Sequence, residues 1–354
     1  MITEAQGNLL QADADALVNT VNTVGVMGKG IALQFRRAFP EMFEDYKRAV
    51  QAGEIDLGRV HVWRSQALTG PRFVINFPTK RHWRAKSRLG DIEQGLNDLV
   101  RVIRELDITS IAIPPLGCGQ GGLRWSEVEP RIRKAMTRVS EVDVLLYPPE
   151  KTPSATAMPT ATDRPKMTPG RAALIRILSL YSMRATGVSL IEVQKLMYFL
   201  QLAGEPLRLN FTKHIYGPYA DNLRHVLNKI EGHYLVGFGD GSQLVQESEP
   251  LRVLPGADDE AAGALAEHPE TERRIERVLE LTGGFESAYG MELLSSVHWV
   301  CTHEHADRTA AIEHIRRWTH RKSALFEPAH IEAAWRQLED HGWLNQELAH
   351  ADSR

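Results

Sequence analysis

Residues 18–30, Val-Asn-Thr-Val-Asn-Thr-Val-Gly-Val-Met-Gly-Lys-Gly, constrain the fold more than any other stretch of the chain. A β-rich run ends in Asn22 and opens into a turn with glycines at 25, 28 and 30; Ile31-Ala32-Leu33-Gln34-Phe35 then follows with helical spacing. Glycines in such a turn let the backbone reach positive φ and approach a ligand with no Cβ in the way. Amides that feed a helix N-terminus make a site for phosphates. A second loop at 114–122, Pro-Pro-Leu-Gly-Cys-Gly-Gln-Gly-Gly, follows the apolar run Ile111-Ala112-Ile113. Two glycine loops at strand ends in one small domain suit a ligand with a diphosphate in its middle.

Neither loop is a dinucleotide or P-loop fingerprint. Gly117, Gly119 and Gly122 form a literal G-x-G-x-x-G, but no acidic residue on a second strand end lies about twenty positions later, as the dinucleotide motif requires. Strands are predicted at Met1–Ala5, Ala16–Thr20, Arg59–Arg64, Arg72–Phe77, Ser110–Pro114 and Val142–Tyr147, and helices at Ile31–Val50, Leu89–Leu106 and Trp125–Val139. This alternation argues for an α/β sandwich with helices on both faces of the sheet. Ligands of open α/β sheets sit at the carboxyl ends of strands, where both glycine loops fall.

Gly7-Asn8-Leu9-Leu10, Asp15-Ala16-Leu17-Val18-Asn19, the Asn22–Gly30 loop and the Gly117–Gly122 loop together resemble the macrodomain family of ADP-ribose-binding modules, over roughly residues 1–149. Within it, Asn22, Gly25–Gly30, Lys80 and Gly117-Cys118-Gly119 are similar to the branch of terminal ADP-ribose glycohydrolases, and to bacterial antitoxins that strip ADP-ribose from thymidine in DNA. The resemblance implies a three-layer α/β/α macrodomain with a mixed sheet. It implies an ADP-ribose site made of Asn8, Leu9, Thr20, Asn22, Gly25, Val26, Met27, Gly28, Lys29, Gly30, Pro115, Leu116, Gly117, Cys118, Gly119, Gln120, Gly121 and Gly122.

Lys80 closes the strand pattern Phe73–Thr79 and so falls near the strand ends. On its own it reads as a solvated surface charge. The resemblance aligns it with the catalytic lysine of the glycohydrolase branch, and a lysine with a depressed pKa can act as nucleophile or as proton donor. Asn22 is the residue the resemblance places on the distal ribose, where an amide offers both donor and acceptor to a diol; by itself it reads as a turn-former. Asn8 stands where many macrodomains carry an aspartate that reads the adenine amino group, and its amide oxygen can accept the same bond. One departure is Gly121, which aligns with a catalytic aspartate of the human-type enzyme. It weakens the case for a lysine–aspartate pair and favours a lysine that assists departure of the thymine imide.

The run Lys80-Arg81-His82-Trp83-Arg84-Ala85-Lys86-Ser87-Arg88 holds five basic residues, no acid and a central Trp. That mix suits phosphate contact and base stacking on single-stranded nucleic acid, with Arg81, His82, Trp83, Arg84 and Ser87 as the DNA contacts. Cys118 reads as a packing residue, since no histidine is paired with it in the motif.

Charge divides unevenly. Residues 1–149 hold 20 Lys+Arg against 17 Asp+Glu, a balance of +3, while the remaining 22 against 28 give −6. The first part could face a polyanion; the second would not. No apolar run approaches the ~18 residues of a membrane span and the N-terminus lacks a signal-peptide pattern. The two cysteines have no metal or redox spacing, which points to a reducing cytoplasm. Nothing calls for a cofactor or a metal.

Residues 150–169 are rich in Pro and Thr and read as a semi-extended linker. Residues 170–354 are expected to form a mostly α domain. Ser189-Leu190-Ile191-Glu192 is a capping box and Gly204 a helix stop. A strand is predicted within Leu207–Ile215 and helices at Ala220–Ile230, Glu270–Leu281, Glu292–Val300, Ala310–Trp318 and Ile331–Gly342; the acidic, Ala/Gly-rich 256–268 reads as a surface loop. Gln194–Leu200 and Tyr216-Gly217-Pro218-Tyr219 resemble the Panacea domains of antitoxin proteins. That resemblance implies a partner for this part of the chain, a DNA ADP-ribosyltransferase toxin, beside ADP-ribose and ADP-ribosylated single-stranded DNA for the macrodomain.

Overall fold

Six strands pair in one mixed sheet: β1 (Ile2–Glu4), β2 (Ala16–Asn22), β3 (His61–Arg64), β4 (Phe73–Lys80), β5 (Ser110–Ile113) and β6 (Asp143–Leu146). Their order is β1-β6-β5-β2-β4-β3, parallel throughout except for β3, which runs antiparallel to β4 at the edge. The computed structural model describes residues 1–344 apart from Leu68, 150–152, Leu244, Gln246 and Glu247.

Alternation along each strand sorts the core onto the two faces of the sheet. Ala16, Val18, Phe73, Ile75, Phe77, Ile111 and Ile113 pack with α3 (Leu89–Glu105) and α4 (Trp125–Met136), whereas Leu17, Val21, Val74 and Ala112 pack with α1 (Gly30–Ala38) and α2 (Pro40–Gln51). The sheet with its two helical layers is the macrodomain sandwich. Helices α1 and α2 occupy the stretch predicted as one helix. Pro40 has no N–H to donate and disfavours helical backbone at the residue before it, so the chain turns at Phe39 (φ −133°, ψ 72°) and restarts with Pro40 in the first turn of α2.

The chain divides into two compact units, Met1–Asp163 together with Gly239–Gln243, and the remainder from Arg164 onward. The first unit therefore extends past the expected boundary at 149. Residues 150–152 of the expected linker lie outside the described residues. Beyond them Ala155–Ala157 forms a short helical turn in which Ala155 is buried, the Ala157 carbonyl accepts from Asn8 Nδ2 at 2.8 Å, and Ala161 N–H donates to the Arg37 carbonyl at 2.8 Å. Hydrogen bonds to its backbone hold a segment whose composition alone offers little to bury.

The second unit is mostly helical: α5 (Pro169–Ser182), α6 (Leu190–Leu202), α7 (Asp221–Ile230), α8 (Ala257–Leu265), α9 (Pro269–Leu281), α10 (Ala288–His303), α11 (Arg308–Trp318), α12 (His320–Leu325) and α13 (Pro328–Asp340). Two antiparallel pairs join them, β7 (Phe211–His214) with β8 (Gly217–Ala220) and β9 (Leu235–Val236) with β10 (Arg252–Val253). The capping box closes as expected, with the Glu192 N–H donating to Ser189 Oγ and the Ser189 N–H to Glu192 Oε2. Helix α5 carries no amphipathic signal because it is buried almost all round. The expected surface loop 256–268 is instead largely α8. Ala257, Ala261 and Leu265 lie one turn apart and fully buried, so small side chains give the helix its packing face. The two motifs that resemble a Panacea domain are bonded to each other. Gln194 accepts from the Ala220 N–H and donates to its carbonyl, and Lys195 Nζ donates to the Pro218 carbonyl at 2.6 Å. Among the described residues no helix is long and apolar enough to cross a membrane.

Candidate functional site

Strand order brings three chain segments to one end of the sheet. β5, β2 and β4 are parallel neighbours, so the loops leaving their carboxyl ends, 114–122, 22–30 and 80–88, emerge side by side. The register is more specific. A shift between Val21 and Asn22 makes Asn22 and Lys80 Cα partners across β2 and β4. Thr23 clamps the exit, with its N–H and hydroxyl both donating to the Arg81 carbonyl at 3.2 and 2.8 Å. The two residues given catalytic roles from sequence thus sit next to one another.

Asn22 is buried, and its side chain fastens the first glycine loop. Oδ1 accepts from the N–H groups of Val24 and Val26 at 3.0 and 3.3 Å, and Nδ2 donates to the Val26 carbonyl at 2.6 Å. Turn-forming is its observed work. Tyr46, wholly buried on α2, donates its hydroxyl to the Asn22 carbonyl. Burial pushes that phenol far above its ordinary range, so it stays a donor. No sequence signal marked Tyr46 beyond its place on an amphipathic helix. Gly25 and Gly30 have positive φ (77° and 64°), Met27 is tucked beneath the loop, and Val24, Val26, Gly28 and Lys29 face outward. Below the loop, Asn19 Nδ2 donates to Asn76 Oδ1 at 2.9 Å in the buried sheet. Thr20 is half-buried one turn of the pleat before Asn22.

The second loop is held by its own backbone. Cys118 N–H reaches the Pro115 carbonyl, Gly122 N–H the Gly119 carbonyl and Leu123 N–H the Gly117 carbonyl, at 3.0–3.1 Å. Gly117 and Gly122 take positive φ (73° and 77°). Leu116 is buried, and Gly119, Gln120 and Gly122 are exposed. Gly121 is buried, and a Cβ there would fall well inside contact distance of both the Gly117 carbonyl and Ser87 Oγ. An aspartate at this position has no room in the loop as folded. Burial pushes the Cys118 thiol up to about 11, so it is no nucleophile near neutral pH.

Lys80 is half-buried, its Nζ donating to the Trp83 carbonyl at 3.0 Å. Burial, and to a lesser degree the nearby Lys86 charge, lower its pKa. Arg81, His82, Trp83 and Arg84 form an exposed turn. The His82 and Trp83 rings lie 5.2 Å apart and the Arg84 guanidinium stands 4.3 Å from the Trp83 ring centre. Ser87 departs from the expectation of DNA contact. It is buried, its N–H donates to the Gly121 carbonyl at 3.0 Å, and its hydroxyl, without a hydrogen-bond partner among the described residues, faces the underside of the second loop. Asn8 caps the turn Leu9–Gln11, with Oδ1 accepting from the Leu10 N–H at 3.0 Å and Nδ2 donating to the Ala157 carbonyl at 2.8 Å.

The macro domain family model matches residues 18–132. A DNA ADP-ribosyl glycohydrolase from Thermus aquaticus is 44% identical over 348 residues, 98% of this chain and 95% of that protein. The solved macrodomain of Mycobacterium tuberculosis DarG is 57% identical over 42% of this chain and 99% of its own, with a TM-score of 0.42. A DNA ADP-ribosyl transferase–DNA ADP-ribosyl glycohydrolase fusion protein from Thermosipho africanus is 33% identical over 159 residues, 41% of each chain. Identity at the level of the Thermus protein, sustained along nearly the whole of both sequences, makes this chain a member of the DNA ADP-ribosyl glycohydrolase family, with a macrodomain as its first unit.

Proposed function

We propose that the chain hydrolyses the bond between ADP-ribose and thymidine on single-stranded DNA, with Asn22 and Lys80 at the scissile bond. The observation that supports this best is their pairing across β2 and β4 between the two glycine loops. Loop amides hold the diphosphate, the Asn8–Leu9 turn receives the adenine, and the distal ribose lies over Asn22. Water attacks the anomeric carbon while the C–N bond breaks and its electron pair passes to the thymine imide nitrogen; the proton the water sheds goes to solvent, from which Lys80 regains the one it donates. Lys80, with its depressed pKa, is a better proton donor to that nitrogen than an ordinary lysine. A covalent lysine adduct aided by a loop carboxylate is disfavoured, since Gly121 leaves no room for one. The exposed Trp83 and Arg84 stack and pair with the flanking strand.

The test is incubation of an ADP-ribosylated oligonucleotide with the protein. Free ADP-ribose and restored thymidine are expected. Binding with no release would make the chain an ADP-ribose reader instead.

The second unit serves as the antitoxin's other arm, binding a cognate DNA ADP-ribosyltransferase. Residues after 149 carry a balance of −6, which suits a basic DNA-modifying partner, and in the Thermosipho relative the transferase and glycohydrolase are named as one fusion protein. Co-expression of toxin with a full-length Lys80→Ala variant separates sequestration from hydrolysis: growth and a co-purifying complex are expected, and absence of both would leave the enzyme as the sole antidote.

A further inference from the structure

The first glycine loop is fastened at both ends, and the second fastening comes from a distant part of the chain. Gly239–Gln243 belongs to the macrodomain unit although the residues on either side of it do not. There Asp240 is 2% exposed. Its carbonyl accepts from the Gly30 N–H at 3.1 Å, its Oδ2 from Gln34 Nε2 at 2.6 Å, and its Oδ1 from the Ser242 N–H at 2.9 Å. Arg37 Nη1 donates to the neighbouring Gly239 carbonyl at 2.8 Å. Gly30, Gln34 and Arg37 are spaced i, i+4, i+7, one stripe of α1, and Gln34 and Arg37 are each 4% exposed.

Elementary energetics gives the arrangement a purpose. The Gly30 N–H is one of the unpaired donors of a helix N-terminus, and α1 has no side-chain cap of its own. A carboxylate taken out of water is costly unless hydrogen-bonded, and the positive end of a helix is where it costs least. Gly30 is also the last residue of the loop that begins at Asn22. The Tyr46 hydroxyl fixes the loop's entrance at the Asn22 carbonyl, and Asp240 fixes its exit.

We propose that Asp240 is a positioning residue for ADP-ribose binding, setting the first glycine loop through Gly30 and Gln34. The proposal rests on the reading of residues 22–30 as an ADP-ribose loop, and not on the assignment of catalysis to Lys80.

The experiment uses the full-length protein and free ADP-ribose as the probe, by calorimetry, with thermal unfolding measured alongside. Asp240→Ala is expected to weaken binding about tenfold. Gln34→Glu, which sets two carboxylates face to face, is expected to do the same. Gln34→Glu combined with Asp240→Asn reverses the donor and acceptor of the buried bond while the new amide oxygen still receives the Ser242 N–H, and is expected to restore affinity to within about twofold. A purely structural role would lower the melting temperature of the single variants while the folded protein still bound ADP-ribose within twofold of wild type. Single variants that bind within twofold of wild type, or a double variant no better than Gln34→Glu alone, would overturn the proposal. Should Asp240→Ala fail to fold, the Gln34→Glu and double variants decide it. Wild-type protein that binds no ADP-ribose would instead sink the reading of the loop; wild type that binds but leaves modified DNA intact would sink the hydrolase and leave this proposal standing.

Discussion

The two ends of the sheet are built from the same three strands and do opposite things. At the amino ends of β2, β4 and β5 the chain is stitched shut. The Asp15 carboxylate takes Arg72 Nε and Nη2 at 2.6 and 2.5 Å together with the Thr109 N–H and hydroxyl at 3.0 and 2.9 Å, while its own N–H meets Ser110 Oγ at 2.9 Å. At the carboxyl ends two glycine loops expose Val24, Val26, Gly28, Lys29, Gly119, Gln120 and Gly122, with Lys80 beside them. Parallel strands explain the division: all three carboxyl ends point one way, so whatever binds there meets three loops at once, and stability is concentrated where no ligand needs access. Residues at one end should therefore alter activity without altering stability, and residues at the other the reverse.

The largest effect is expected from Lys80→Ala. Release of ADP-ribose from modified DNA should fall at least about 10³-fold, ~4 kcal/mol of transition-state stabilisation, with ADP-ribose affinity within threefold of wild type. As proton donor the wild-type lysine must be protonated, so single-turnover rates should drop on the alkaline side at a pH below that of an ordinary lysine. Rates for the variant close to wild type would remove Lys80 from the mechanism.

Asp15→Ala should do the converse, lowering stability by ~1–2 kcal/mol once screening on the exposed Arg72 side is allowed for, with turnover unchanged. Hydrogen bonds from Arg72, opposed by burial, hold the Asp15 carboxyl at about 2, below the 3.8 of an unperturbed aspartate. A depressed carboxylate stabilises the fold in full above its unfolded value and loses that contribution as pH falls from about 4 toward 2. Chemical denaturation across that range should show a shallower acid decline in the variant, and an identical decline would assign the acid sensitivity elsewhere.

A smaller effect is expected from Trp83→Ala with Arg84→Ala: single-stranded ADP-ribosylated DNA should bind more weakly by roughly 1–3 kcal/mol, with a flatter salt dependence, and free ADP-ribose should bind as before. Equal losses for both ligands would make this turn part of the fold alone. Cys118→Ala should matter least, within about 0.5 kcal/mol in stability and twofold in turnover. Wild-type activity should also survive thiol alkylation at neutral pH, as a thiol raised to about 11 is almost wholly protonated there.

Much of the macrodomain was legible in the amino-acid order. Alternation of short apolar runs with helical stretches fixes an α/β sandwich; of the first loop's glycines 25 and 30 take positive φ and 28 does not, while 117 and 122 do in the second loop; and in the second unit Ser189 with Glu192 announces a helix start. These are local properties, written in propensity, turn chemistry and capping, and they hold wherever the segment ends up. The pairing proposed as catalytic was only half-legible: Asn22 and Lys80 each stood at a strand end, but the bulge that makes them partners belongs to the sheet. Inward-facing Ser87 looked like a surface residue because burial depends on what packs above it. Residues 256–268 misled for the same reason, since an alanine stripe is a packing face only when another helix lies close. The partners of Tyr46 and Asp240 left no trace in sequence, because a hydrogen bond across 24 or 210 residues is decided by which surfaces meet when the chain closes on itself. Local order can be read from side-chain chemistry along the chain; long-range partners exist only once hydrophobic burial has brought the elements together.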